Sequence, residues 1–178
     1  MANLIVKPQV EFMEAVKLAY KNCFTFTGRI RRSEFWWAVL GNFIIGLILC
    51  FIPIIGQILC LFIGIVNLSL TFRRLHDTNH SGWWVGVPML TSAIAVGIII
   101  TTCGVAALTG DMNALAGASM GSMLIAVLLY LAAGIMELVV LVFCCMDSQQ
   151  VANKYGESPK YVLDNSIEPN AEEPESQI

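Results

Sequence analysis

Charge is scarce in this sequence, and along one stretch it vanishes. From Phe35 to Phe72 there is no Asp, Glu, Lys, Arg or His, and over the 178 residues charged side chains reach only 13%. Soluble globular domains carry about 25%. Apolar residues make up 57% of the chain, more apolar surface than a soluble domain of this size can hide, so a water-soluble fold is excluded. No disulfide framework or zinc site is legible either. Cys50, Cys60, Cys103, Cys144 and Cys145 lie in apolar segments and only Cys23 does not, and buried thiols behave as small hydrophobes. Cys144-Cys145, near a membrane surface, are read as span-filling, with acylation the lesser alternative. A cleavable secretory signal is not expected, since residues 1–28 are polar and amphipathic and Arg29 to Arg32 lead into a full-length span.

What remains is apolar and long. A helix needs about 20 residues to cross the hydrocarbon core, and the charge-free run is long enough for two short spans broken near Pro53 and Gly56, where proline removes a donor and glycine permits a reversal. A re-entrant hairpin is the alternative for that run. With the later apolar blocks, the expected architecture is an all-α integral membrane helical bundle of about four spans, at 35–53, 56–72, 83–108 and 122–146. A Gly/Ala/Ser-rich connection holding Asp111 separates the last two. One membrane domain thus covers residues 1–160, and 161–178 form an acidic tail expected to be disordered and cytoplasmic.

All ten Lys and Arg residues fall before span one, between spans two and three, or after span four. Basic residues of short loops stay on the cytoplasmic side, so both termini are expected inside. Ahead of the first span, Val10, Phe12, Met13, Val16, Ala19, Tyr20 and Cys23 recur at helical spacing against Glu11, Glu14, Lys17 and Lys21. This predicts an amphipathic helix, either lying in the membrane interface or packed on the bundle.

The chemistry concentrates at the basic face. Arg31-Arg32 precede Trp36-Trp37, and Arg73-Arg74 precede Trp83-Trp84. Tryptophan favours the headgroup level and arginine offers a planar donor fork to phosphate. Arg29, Arg31, Arg32, Arg73, Arg74, His76, Asp77, Trp36, Trp37, Trp83 and Trp84 are therefore the candidate site for anionic phospholipid or a membrane-protein partner; the plainer reading makes the arginines topology signals. Asp77 either orients Arg73 or Arg74 or locks the turn before the third span.

Three motifs carry a resemblance. Phe26-Thr27-Gly28-Arg29-Ile30-Arg31-Arg32-Ser33-Glu34-Phe35-Trp36-Trp37, Phe72-Arg73-Arg74-Leu75-His76-Asp77-Thr78 through Ser81-Gly82-Trp83-Trp84, and Asn153-Lys154-Tyr155-Gly156 with Pro159 resemble the bacterial inner-membrane family catalogued as domain of unknown function 805. The resemblance covers roughly residues 10–160 and implies a location in the bacterial cytoplasmic membrane, with no established activity. Two features depart from it: an apolar stretch between the second and third motifs long enough for two spans, and Val151-Ala152 before Asn153.

His76-Asp77-Thr78-Asn79-His80 has the i, i+4 histidines of a zinc helix, but Asp replaces Glu, the following residues read as loop and no third ligand is evident, so no metal and no cofactor are expected. Glu137 is the one ionisable residue well inside an apolar segment, a functional candidate by default, able to face the bundle or pair with Asn42 or Asn67. Three functions follow: a non-enzymatic interaction module, which is preferred; a small transporter or channel component using Glu137, with Asn42 and Asn67 as polar lining; and a lipid-headgroup enzyme with His76 as acid or base and Asp77 as its orienter. No catalytic residue is assigned and no nucleic acid is expected. Self-association is plausible, with Gly41, Gly46 and Gly64 permitting close helix approach.

Overall fold

The computed structural model describes residues 4–109 and 112–163. The expected connection at Asp111 and the acidic segment from residue 164 onward lie outside the described residues. The described chain runs β1 (Leu4–Val6), α1 (Phe12–Lys21), α2 (Arg32–Leu49), α3 (Ile55–Asp77), α4 (Trp83–Thr109), α5 (Met112–Cys145) and β2 (Tyr161–Leu163). Four helices are long and apolar enough to cross a membrane, over Arg32–Leu49, Ile55–Asp77, Trp83–Gly104 and Met120–Cys145. The all-α membrane bundle is thus the observed class.

The first hairpin turns where proline and glycine were expected to turn it, with its helices displaced. α2 stops at Leu49, α3 starts at Ile55, and Pro53 stands in the turn between them. Ile54 takes a φ of 63°, a left-handed conformation uncommon for a β-branched residue. Gly56 sits directly under the Leu49 carbonyl, where an added Cβ would collide with the oxygen. The two helices hold 18 and 23 residues, about 27 and 35 Å of rise, against a hydrocarbon core of about 30 Å. Near mid-depth Asn42 Nδ2 donates to Asn67 Oδ1 at 2.6 Å, tying the pair where lipid offers no partner.

The second hairpin packs through small residues. Ala95 on α4 and Ala126 and Ala133 on α5 are buried, which lets the helices approach closely, and Thr102 and Ser122 hydroxyls meet across it at 3.3 Å. α4 also carries a buried proline, Pro88, inside its second turn. α5 begins at Met112 rather than near residue 122. Much of the connection expected there is helical, since its Ala, Met and Leu are strong helix formers even beside glycine. Large apolar side chains such as Phe43, Leu61, Leu124 and Leu131 point outward, the reverse of a soluble protein and the arrangement lipid requires.

α3 joins the two hairpins. Val66, Leu70 and Leu75 pack with Val140 and Cys144 of α5 and with Ile30, Phe35 and Ala38, forming a core near one end of the bundle. α1 lies across the first hairpin, with Phe12 edge-on to Trp37 at 5.7 Å and Tyr20 and Phe24 both 6.3 Å from Phe62. Its buried line is Ala15, Ala19 and the following Cys23, whereas Met13, expected on the apolar side, faces outward.

Two strands were not foreseen. β1 pairs antiparallel with β2, Leu4 opposite Leu163 and Val6 opposite Tyr161, and Lys7 N–H donates to Lys160 O at 2.9 Å. Tyr161–Leu163, expected to open the acidic tail, are thus strand. Three-residue strands give almost no pattern of their own, and only the partner strand makes them visible. The pairing also puts the N-terminal and C-terminal segments on the same end of the bundle, the end that carries the arginines.

Candidate functional site

The three sequence motifs, more than a hundred residues apart at their extremes, meet at this basic end around Asp77. Asp77 closes α3, where a carboxylate faces the negative end of the helix dipole, and its side chain is 0% exposed. Such a charge persists in the interior only if it is paired and hydrogen-bonded. Two guanidinium groups do this. Arg29 donates from Nε to Asp77 Oδ1 at 2.9 Å, with Nη2 equally near, and Arg74 Nη1 donates to Asp77 Oδ2.

The same arginines stitch the end of the bundle together. Arg74, fully buried, donates from Nε to Cys144 O at 3.1 Å and from Nη2 to Met146 O; these carbonyls end α5, where no intrahelical donor remains. Arg32 Nη1 adds a bond to Cys145 O at 3.3 Å. Arg29 reaches the loop beyond α5, donating to Gln149 O at 2.8 Å, Val151 O at 3.0 Å and Gly156 O at 3.1 Å. Arg31 Nη1 donates to Lys7 O at 2.8 Å and holds the segment after β1. Asn153 closes the loop from below, giving Nδ2 to His76 O at 2.9 Å and receiving Tyr155 N–H on Oδ1 at 2.9 Å. Gly156 has a φ of 128°, a region almost reserved for glycine.

Sequence reasoning named Arg73 or Arg74 as the partner of Asp77. The structure uses Arg74 and Arg29, and Arg73 turns elsewhere, with Nε on Ser69 O at 3.4 Å and Nη2 unpartnered. Arg29, Arg31 and Arg74 were expected to present their forks to headgroups; their donors instead face backbone carbonyls and Asp77, because folding brings the end of α5, the loop beyond it and the segment after β1 over them. Arg32 is the exposed member of the set. Trp36, Trp37 and Trp84 are partly exposed and Trp83 is 74% exposed, ringing the same end of the bundle.

His76 and His80 do not converge. His76 stacks on Tyr155 at 3.8 Å and His80 on Phe143 at 3.8 Å, so each ring has its own aromatic partner, and among the described residues no three His, Cys, Asp or Glu side chains cluster as a metal set. Both Asp77 oxygens face arginines, so Asp77 does not orient His76. Glu137 does not reach Asn42 or Asn67, which bond to each other; it opens onto a cleft of about 240 Å³ with Val85, Pro88, Met89, Ser92 and Val140.

A surface ion pair lies beyond the buried cluster. Lys160 Nζ donates to Asp147 Oδ2, and this bond holds the Asp147 carboxyl below its ordinary value and raises the Lys160 ammonium. Neither residue stood out in the sequence, since two ordinary charges after the last span signal nothing until β2 folds back.

The fold and this cluster define a class: a four-helix membrane protein whose terminal segments and loop are locked by buried arginines around one aspartate. The chain belongs to the DUF805 family, described as a protein of unknown function, whose model matches residues 23–157. It is similar to Inner membrane protein YhaI of Escherichia coli K12, 28% identical over 149 residues that cover 79% of this chain and 91% of that protein. Inner membrane protein YhaH of the same strain is 33% identical over 76 residues, covering 36% of this chain and 63% of YhaH. No solved structure matches.

Proposed function

We propose that this protein is a non-enzymatic module of the bacterial inner membrane, with both termini in the cytoplasm, that holds anionic phospholipid at its basic, aromatic end. The names of YhaI and YhaH support the membrane, and the gathering of the basic residues at the end that carries both terminal segments supports the orientation. A membrane-protein partner is the alternative occupant. The observation that carries the reading is the division of labour at that end. Arg29, Arg74 and Asp77 are turned inward as a lock, leaving exposed Arg32 among Trp36, Trp37, Trp83 and Trp84 to meet headgroups. The enzymatic alternative loses its dyad, because the Asp77 carboxylate is held by two arginines rather than by His76.

Native mass spectrometry of protein extracted with its surrounding lipid tests this, comparing wild type with Arg32→Gln. Retention of anionic lipid by the wild type and its loss in the variant is the expected result; equal retention by both would sink the role of Arg32. Arg74 is a poor probe, since its removal also uncaps α5. A second reading, transport, is favoured by one observation, the cleft shared by Glu137 and the helix-interior Pro88. Proteoliposome flux that Glu137→Gln abolishes would replace the first reading with this one.

A further inference from the structure

The cleft of about 240 Å³ between α4 and α5 lies below the headgroup level. Pro88 and Ser92 stand five and nine residues beyond Trp83, and Glu137 stands eight residues before Cys145, the last of α5. At the rise of an α-helix, all three are about 8–14 Å in from the ends of their helices. Pro88 and Val140 are buried and form the floor, whereas Met89 and Glu137 are exposed and stand at the mouth. The mouth opens beside the outward-facing Leu90, Leu138 and Leu141, so its approach is through lipid rather than water.

Glu137 has no partner there. Among the described residues it makes no hydrogen bond and no ion pair, although an ionisable group at membrane depth is costly and calls for one. The spans have no cation to give it: residues 83–146 contain no Lys, Arg or His, and neither do residues 35–72. Donors are missing as well. Ser92 gives its hydroxyl proton to Met89 O at 2.9 Å, so its Oγ has only lone pairs left to offer. Pro88 has no N–H for the Trp84 carbonyl one turn earlier, and an ionised carboxylate only accepts. The cleft is therefore apolar in its walls, acceptor-only in its polar side chains and short of one positive charge.

We infer that this cleft binds a protonated amine carried on a small apolar body and drawn from the membrane. Its ammonium donates to the Glu137 carboxylate, with Ser92 Oγ as a second acceptor, and its body lies against Val85, Pro88, Met89 and Val140. Such a ligand supplies the missing charge and the missing donor together, and the apolar body is what carries both through lipid. The site is separate from the lipid-holding end and stands or falls without Arg32. It deepens the second reading by naming a ligand class for Glu137, and it rests on that reading for the use of this residue but requires no transport.

The test is equilibrium dialysis of phenethylamine, an ammonium ion at neutral pH, against detergent-solubilised protein, with protein-free micelles as background. Propylbenzene, of the same shape with a methyl in place of the ammonium, is the neutral control. Wild type is expected to bind one amine saturably, and propylbenzene about tenfold or more weakly. Glu137→Gln keeps the side chain's shape and removes its charge; Ser92→Leu fills the cleft with a residue suited to a membrane helix. Each is expected to weaken amine binding about tenfold or more, the loss that goes with one hydrogen bond to a charged group. Circular dichroism melts close to wild type show that a variant is folded, and if one fails to fold the other decides. Absence of saturable amine binding by wild type overturns the proposal, as does unchanged binding in a folded variant. Propylbenzene held as tightly as the amine overturns it too, since Glu137 would then be idle beside an apolar groove. So does complete displacement of the amine by an equal concentration of sodium chloride, since the site would then have no use for the apolar body. Flux that depends on Glu137 without amine binding refutes this site and keeps the transport reading; amine binding without flux does the reverse.

Discussion

Replacing Asp77 with alanine removes the one anion shared by two buried guanidinium groups. In the folded protein the Arg29 and Asp77 side chains are 1% and 0% exposed, and those of Arg74 and Asp77 are both 0%, so water does not take over the missing role. Breaking a buried ion pair by deleting one partner costs about 3–5 kcal/mol, whereas an exposed pair is worth about 0–1 kcal/mol. Asp77→Ala is expected in the upper range, because Arg29 and Arg74 each lose their counterion. Asp77→Asn retains one acceptor oxygen and is expected to fall between the two. The carbonyl bonds of Arg29 to Gln149, Val151 and Gly156 depend on that fixed orientation, so the loop from Met146 to Ser158 should loosen first. Equilibrium unfolding in mixed micelles gives the stability change, and limited proteolysis of the loop gives its location. A loss below about 1 kcal/mol for Asp77→Ala, with the loop still protected, would place the cluster with surface pairs and refute the claim that it locks the fold.

Other perturbations test separate parts. Gly56→Ala drives a methyl into the Leu49 carbonyl and should destabilise the first hairpin by about 1–3 kcal/mol, as overpacking does; an unaltered melting temperature would show that the turn can shift. Asn67→Leu removes the 2.6 Å bond from Asn42 and should cost about 0.6–1.7 kcal/mol, the range of interhelical bonds in membranes, read by the same unfolding assay. Because Lys160 depresses the Asp147 carboxyl, the stabilisation it lends β1–β2 is fully present above the ordinary carboxylate value and is lost as pH falls below it through the lower folded value. The protection factors of the strand amides, with the intrinsic pH dependence of exchange divided out, should therefore fall in acid for wild type, while in Asp147→Asn they are already low at neutral pH; identical profiles for the two would remove the pair from the ribbon's stability.

The sequence by itself determined that this chain lives in a bilayer, that four helices cross it, and that its basic residues gather at one end. Those properties are local: a run of residues without charge, a proline and a glycine to turn it, and arginines beside tryptophans act through the nearest solvent, whether lipid or water. The three motifs were legible as well, from their order alone. What only the tertiary structure decided is what the motifs are for. Arg29 was read as one more headgroup contact, yet it meets Asp77 across 48 positions of sequence and Gly156 across 127, and no periodicity encodes such a partner. Asn42 and Asn67 looked like lining for Glu137 and instead bond to each other, because the hairpin sets them at one depth. β1 and β2 are too short to announce themselves and exist through their pairing. A buried charge is recognised by what surrounds it, and the surroundings of Asp77 come from the segment before α2, the last turn of α3 and the loop after α5, brought together only when the chain has folded.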